Sequence, residues 1–291
     1  LTAVSMTGNQ YQFHYSLNHN PHKPTILLLH GFMGNIDEFD QVIKLLFDDF
    51  SYLIIDLPGH GKTPMSILQA MDPKSMADAV CETMTSLGIE KFHVCGNSLG
   101  GWVGLEAAAK HSGRVLSFTG LAPAGLWLAP YTARYPGTAL LRVLARTTQP
   151  LSPFALRYEW ARKLGFADVS PLWRNLSYET CLDASNAMSS APGYFPAWDA
   201  MLKKRFDSPI PQSIPVTIVF GDSDNTLPAS SCQERSVVPA HSKWFVIERC
   251  GHAPMWDHPT TVVRHILETA QSRQAQRAKA GGAGRTVRSL F

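Results

Sequence analysis

A serine flanked by glycines, Gly96-Asn97-Ser98-Leu99-Gly100, sits where the apolar run Phe92 to Cys95 gives way to a small-residue stretch, Leu99 to His111. A serine on a tight strand-to-helix bend has its hydroxyl exposed, and its neighbours must be small because the two backbones approach closely. A neutral hydroxyl is a weak nucleophile, so a base must take its proton. Of the eleven histidines, His252 has the right context, because Cys250-Gly251-His252-Ala253-Pro254 follows the last predicted strand and precedes the closing helix. His30, His60 and His111 read as structural, at a strand end, in a Gly-flanked loop and at a helix end. The imidazole needs an orienting carboxylate. Gly221-Asp222-Ser223-Asp224 offers two. Asp222, directly after a strand and its Gly, reads as a turn cap, which leaves Asp224 as the acid.

Attack on a carbonyl builds negative charge on its oxygen, and backbone N–H groups aimed in advance stabilise it. Leu99 N–H, at the start of a helix, is one expected donor, with the helix dipole favouring the anion. The other is expected in His30-Gly31-Phe32-Met33-Gly34, where the surrounding glycines single out Phe32 N–H.

These groups are far apart in the chain, so a scaffold must gather them on one rim. Thr25–Leu29, Tyr52–Ile55, Phe92–Cys95, Val115–Leu121, Val216–Phe220 and Trp244–Ile247 read as buried strands. They alternate with helical stretches at Phe39–Phe50, Met76–Leu87, Leu99–His111 and Val262–Ala270. That rhythm predicts an α/β fold with a parallel sheet and right-handed crossovers. Tyr11, Phe13, Tyr15 and Leu17 alternate like a strand with one buried face. From Ala124 to Ser208 the buried-strand pattern vanishes, and prolines and aromatics surround two helical segments. The expected organisation is a core of residues 1–123 and 209–272, a helical cap of 124–208, and a flexible basic tail of 273–291.

His30-Gly31-Phe32, Asp56-Leu57-Pro58-Gly59-His60-Gly61, Gly96-Asn97-Ser98-Leu99-Gly100-Gly101, Gly221-Asp222-Ser223-Asp224 with Pro228, and Gly251-His252-Ala253-Pro254 occur in order. Together they resemble the α/β-hydrolase superfamily from about Gln10 to Ala270. The resemblance implies an eight-stranded, mostly parallel sheet flanked by helices, with the insertion as a helical lid. It also implies a triad in the chain order Ser, Asp, His, with the acid of G-x-x-D as a member, which again selects Asp224. The superfamily's dehalogenases and epoxide hydrolases use an Asp nucleophile, so Ser98 points away from both. Asn97 and Cys250-Gly251-His252 resemble the meta-cleavage-product hydrolases, which follow that His with Trp where this chain has Ala253. Gly31-Phe32-Met33-Gly34 and Leu57-Pro58-Gly59-His60-Gly61-Lys62 resemble the pyruvate-eliminating synthase of menaquinone synthesis, which has Arg where this chain has Trp102.

Composition removes other classes. The chain has 45% hydrophobic and 17% charged residues, which excludes a disordered polyelectrolyte. The net charge of +3 comes from five basic residues after Glu268, and the rest carries 21 bases against 23 acids. No basic face for nucleic acid is expected. The longest unbroken aliphatic stretch, Ile26 to Leu29, is far short of the roughly 20 residues needed to span a bilayer. Five cysteines without a CxxC pair suggest neither a disulfide framework nor a metal site. With no leader-like N-terminus, a cytoplasmic location is expected. No cofactor, metal, nucleic-acid or membrane partner is expected; the partner is a small-molecule substrate, and a homo-oligomer is left open.

Aromatics crowd the insertion, and Trp127, Trp160, Met188 and Trp198 are the candidate substrate-pocket residues. The expected function is cofactor-independent hydrolysis of a small, mostly apolar carboxylic ester or related acyl compound. The alternatives are carbon–carbon cleavage or elimination on a dienoate or keto acid, and a non-catalytic receptor.

Overall fold

A computed structural model describes residues 12–135 and 138–285. Its centre is built by runs that are buried on both faces: Thr25–Leu29 (β2), Ser51–Ile55 (β3), Phe92–Asn97 (β4), Val115–Leu121 (β5) and Val216–Gly221 (β6). Lys243–Ile247 (β7) closes one edge and is partly or fully exposed along its length. Tyr15–Asn18 (β1) forms the other edge. The order is β1-β3-β2-β4-β5-β6-β7, with β1 antiparallel and the rest parallel. Among the described residues the sheet has seven strands, where the family resemblance implies eight. The N-terminal run is shorter than its alternation suggests. Phe13 is buried and His14 O accepts from Asp56 N–H at 2.9 Å, but regular pairing begins only at Tyr15. Tyr11 lies outside the described residues.

Helices cover both faces. Asp40–Leu46 (α1) and the last helix pack on one side with Ile26, Leu28, Ile54 and Val219. Pro73–Ser86 (α2) and Ser98–Lys110 (α3) pack on the other with Leu27, Leu53, Val94 and Phe118. Asp72 caps α2, accepting from Lys74 and Ser75 N–H, and Pro73 occupies its first turn. Because the chain grows outward on both sides of β2, the loops after β2 and β4 open at a topological switch point, where α/β sheets place their sites.

Between β5 and β6 the described residues form five α-helices: Thr138–Thr148 (α4), Ser152–Ala155 (α5), Glu159–Phe166 (α6), Tyr178–Ser189 (α7) and Tyr194–Met201 (α8). Leu156, Phe166, Trp173, Leu176 and Cys181 give this insertion a small core of its own. It meets the main body at Gly193 N–H, which donates to Gly59 O at 2.8 Å. Two short helices, Ala229–Cys232 (α9) and Pro254–Asp257 (α10), precede Pro259–Arg285 (α11). α11 does not stop near Ala270 as its apolar period suggests; it continues to Arg285, through most of the segment read as a tail. Residues 286–291 of that tail lie outside the described residues. All five cysteines are buried free thiols.

The junction of β2 and α3 sets a steric test. A Cβ on Gly100 would lie 2.3 Å from Leu29 O and 2.5 Å from His30 O, both backbone atoms that no rotamer change can move. Gly88, at φ +72°, has open space around it, so only its conformation resists a side chain. Gly100→Ala should cost about 3 kcal/mol and Gly88→Ala about 1 kcal/mol, read from urea midpoints. Equal costs would place the two backbones further apart than described.

Candidate active site

Ser98 occupies the first position of α3 with φ +50°, a left-handed conformation that costs a non-glycine residue roughly 1–2 kcal/mol. The surroundings hold it there. Ser98 O accepts from Ala124 N–H at 2.9 Å, and Gly100 N–H donates to His30 O at 3.1 Å. A Cβ on Gly96 would meet Gly100 O at 2.2 Å. The glycines of the motif are therefore steric requirements of the bend that presents the hydroxyl.

His252 Nδ1 meets Asp224 Oδ2 at 3.0 Å. The other oxygen, Asp224 Oδ1, accepts from Thr226 N–H at 3.0 Å and Leu227 N–H at 2.8 Å. Burial opposes ionisation of Asp224, but the His252 charge and these hydrogen bonds outweigh it and hold the carboxyl below its ordinary value. An ionised Asp224 accepts a hydrogen bond from Nδ1–H, which keeps the proton on Nδ1 and leaves Nε2 as the free ring nitrogen. Asp222 makes different contacts, accepting from Ser223 Oγ at 2.7 Å.

The main chain of His252 is fixed at both ends. Its N–H donates to Val169 O at 2.8 Å, and its carbonyl accepts from Asn97 Nδ2 at 3.0 Å. Asn97 Nδ2 also reaches Leu121 O at 3.0 Å, so the residue before Ser98 ties the serine bend, β5 and the histidine loop together. Asp257 accepts from Gly251 N–H at 2.7 Å and from the Ser170 hydroxyl. Gly251 has to lack a side chain, since a Cβ would sit 2.2 Å from Val169 O.

Ser98 and His252 line one cavity of about 600 Å³. Of the expected pocket residues, Trp127, Met188 and Trp198 line it, with Phe32, Tyr194 and Leu227. Trp160 does not; it is 65% exposed on the outside of the insertion. The inward residue of α6 is Phe166, and a position six residues earlier is rotated about 120° away from it. The Leu99 side chain belongs to the core, so this residue can offer the cavity only its N–H, in the first turn of α3 where no intrahelical acceptor exists. The lining also carries ionisable side chains, Asp37, Glu38, Asp40, Glu179 and Asp183 with Lys44. Burial, then the charges of Asp37, Asp40 and Glu179, raises the carboxyl of Asp183. Among the described residues no cluster of His, Cys, Asp or Glu could hold a metal ion.

The loop after β2 is shaped by Met33 at φ +60° and by Gly34 N–H donating to Gly31 O at 3.1 Å. Gly31 N–H donates to Glu38 Oε1 at 3.1 Å, and the Phe32 ring stacks on Trp198 at 6.2 Å. The three histidines read as structural have backbone or ion-pair partners. His30 Nδ1 donates to Gly31 O at 2.7 Å and its Nε2 accepts from Leu57 N–H at 2.8 Å. His60 Nδ1 donates to Pro58 O, and His111 faces Asp78. Burial pushes His30 down to about 3 and His60 to about 4, so both stay neutral. Sequence reasoning missed Glu38 and Asp257, which no motif announces. It also missed the amide bridge of Asn97. The two N–H donors on Asp224 could have been found, because Asp-x-Thr is an Asx-turn spacing.

Residues 24–259 match the model of a family described as the alpha/beta hydrolase fold. The chain is 26% identical over 280 residues to monoacylglycerol lipase ABHD6 of Mus musculus, covering 89% of this chain and 79% of that one. It is 28% identical over 213 residues to epoxide hydrolase EphH of Mycobacterium tuberculosis, covering 67% and 94%. Among solved structures, a bacterial membrane phospholipase A superposes with a TM-score of 0.69 at 21% identity, over 93% of this chain and 86% of that one. At that identity the likeness is one of fold. The chain belongs to the alpha/beta hydrolase fold family and is a hydrolase.

Glu38 provides a test of the loop that carries Phe32. Burial is the main cause that raises its carboxyl from about 4.5 to about 8, with the Gly31 N–H bond opposing. A carboxyl raised on folding is most compatible with the fold when protonated. Its contribution is therefore intact below the unfolded value and lost as pH climbs through the folded one. The urea midpoint of the parent should fall between about pH 5 and about pH 9 more than that of Glu38→Gln. Parallel curves would show that the carboxyl is free of that enclosure.

Proposed function

We propose that this chain is a serine ester hydrolase for neutral, largely apolar carboxylic esters. The observation that carries the reading is the His252 imidazole, turned by Asp224, in the same cavity as a serine held in left-handed geometry at a helix start. Ser98 Oγ attacks the ester carbonyl carbon while His252 Nε2 takes its proton. The N–H groups of Phe32 and Leu99 receive the tetrahedral oxyanion. Collapse expels the alcohol, which leaves with the proton from His252. Water, deprotonated by the same nitrogen, then releases the acid and restores Ser98.

Two features support this reading over its rivals. The epoxide hydrolases that the chain resembles use an aspartate nucleophile, and here the corresponding bend carries Ser98. Dienoate and keto-acid substrates carry a carboxylate, whereas the cavity lining sets the acidic side chains of Asp37, Asp40, Glu179 and Asp183 against Lys44, with Glu38 held neutral at pH 7 by a carboxyl raised to about 8. The apolar lining of Trp127, Tyr194, Trp198 and Leu227 suits an acyl or alkyl chain. A lipase among the relatives agrees with such a substrate class.

Ser98→Ala should lower kcat/KM on p-nitrophenyl butyrate by at least about 10⁴-fold, and Asp224→Asn by about 10³–10⁴-fold. Retained turnover by Ser98→Ala would remove the nucleophile assignment. Esters differing only in a terminal carboxylate should separate by about tenfold or more in kcat/KM, the neutral one faster. Asp40→Asn with Asp183→Asn should narrow that gap. A preference for the anionic ester would return the keto-acid reading.

A further inference from the structure

α4 is amphipathic in the inverted sense for a helix facing water. Its Arg142 points inward and donates to the carbonyl oxygens of Met188 and Ala191, the latter at 2.8 Å. Leu140, Val143 and Leu144, spaced to share one helix side, are exposed, Leu140 at 70%. The pattern continues along the chain. Leu151 and Phe154 are exposed, and on α6 Trp160 and Leu164, one turn apart, stand out, Leu164 at 83%. Single exposed apolar residues are ordinary, but a succession of them along one segment of the chain marks a contact surface.

Charge identifies what that surface meets. Residues 138–165 hold five basic side chains and one acidic one, although the whole chain is only +3. The single acid, Glu159, is already paired with Arg174 at 2.6 Å. Arg146, Arg157 and Lys163 are exposed among the apolar positions. We infer that the outer face of α4 to α6 docks on an anionic phospholipid bilayer surface. The apolar side chains enter the headgroup–acyl boundary while the basic side chains extend to the phosphates. A second copy of the chain fits less well, because an isologous contact would bring the same cations together, whereas a bilayer opposes them with anions. That no helix among the described residues is long and apolar enough to cross a membrane does not bear on this, since surface docking needs none. The inner side of the same insertion lines the cavity through Phe166 and Met188, so docked face and cavity share one structural unit.

This goes beyond the ester-hydrolysis reading and stands apart from it, because it is tested as binding by the Ser98→Ala chain. The measurement is co-sedimentation with phosphatidylcholine vesicles, with and without phosphatidylglycerol. Binding should require phosphatidylglycerol and weaken with salt. Leu140→Glu with Val143→Glu should reduce partitioning about tenfold or more, and so should Arg146→Glu with Arg157→Glu and Lys163→Glu. In the Ser98 parent, each set should leave hydrolysis of a short soluble ester unchanged, which shows that the substituted chain is folded. Vesicle binding that is indifferent to both sets would overturn the proposal. So would absence of vesicle binding together with a dimer, seen by light scattering, that Leu140→Glu dissociates.

Discussion

The two main-chain hydrogen bonds of one residue, His252, organise the site. A ring nitrogen can be aimed only if its backbone is fixed, and here the N–H goes to Val169 and the carbonyl to Asn97. Asn97 immediately precedes Ser98, so the bend that carries the hydroxyl also anchors the imidazole's main chain. The pair is thus referenced to one strand end, although 155 residues separate Asn97 from His252. Asp224 adds the remaining constraint, fixing the tautomer while its own orientation is set by two main-chain donors.

Close backbone approach is what permits this gathering. Gly221 and Gly251 leave room for the histidine loop against β6 and against residue 169, as Gly96 and Gly100 do for the serine bend. Asp56 serves a neighbouring purpose. It accepts from Ile36 and Lys62 N–H, each at 2.8 Å, and from His14, tying the loop after β3 to the segment that follows Phe32. The family's second motif, Asp56 to Gly61, is in this sense a structural brace.

Much of this was readable from sequence, for a physical reason. Strands buried on both faces are mostly apolar and uninterrupted by charge, so β2 and β5 match their sequence boundaries residue for residue. The serine bend and the histidine loop announce themselves because sterics force glycine there. Edges were harder: β1 is shorter than the alternation from Tyr11 implies, and α11 outruns its apolar stripe, continuing to Arg285. The insertion was the least readable. An aromatic in a helical insertion can face a cavity or solvent, and composition cannot distinguish Trp198, which lines the pocket, from Trp160, which does not. Side-chain bridges such as that of Asn97 depend on distant partners and leave no local signature.

The link between Val169 and His252 has a mechanical consequence. Residues 169 and 170 are the strap by which the insertion grips the histidine loop, through one main-chain bond and the Ser170–Asp257 contact. A swing of the whole insertion about its ends would pull that strap and misalign the imidazole. Any movement of the insertion that leaves the imidazole in place therefore has to leave the strap in place.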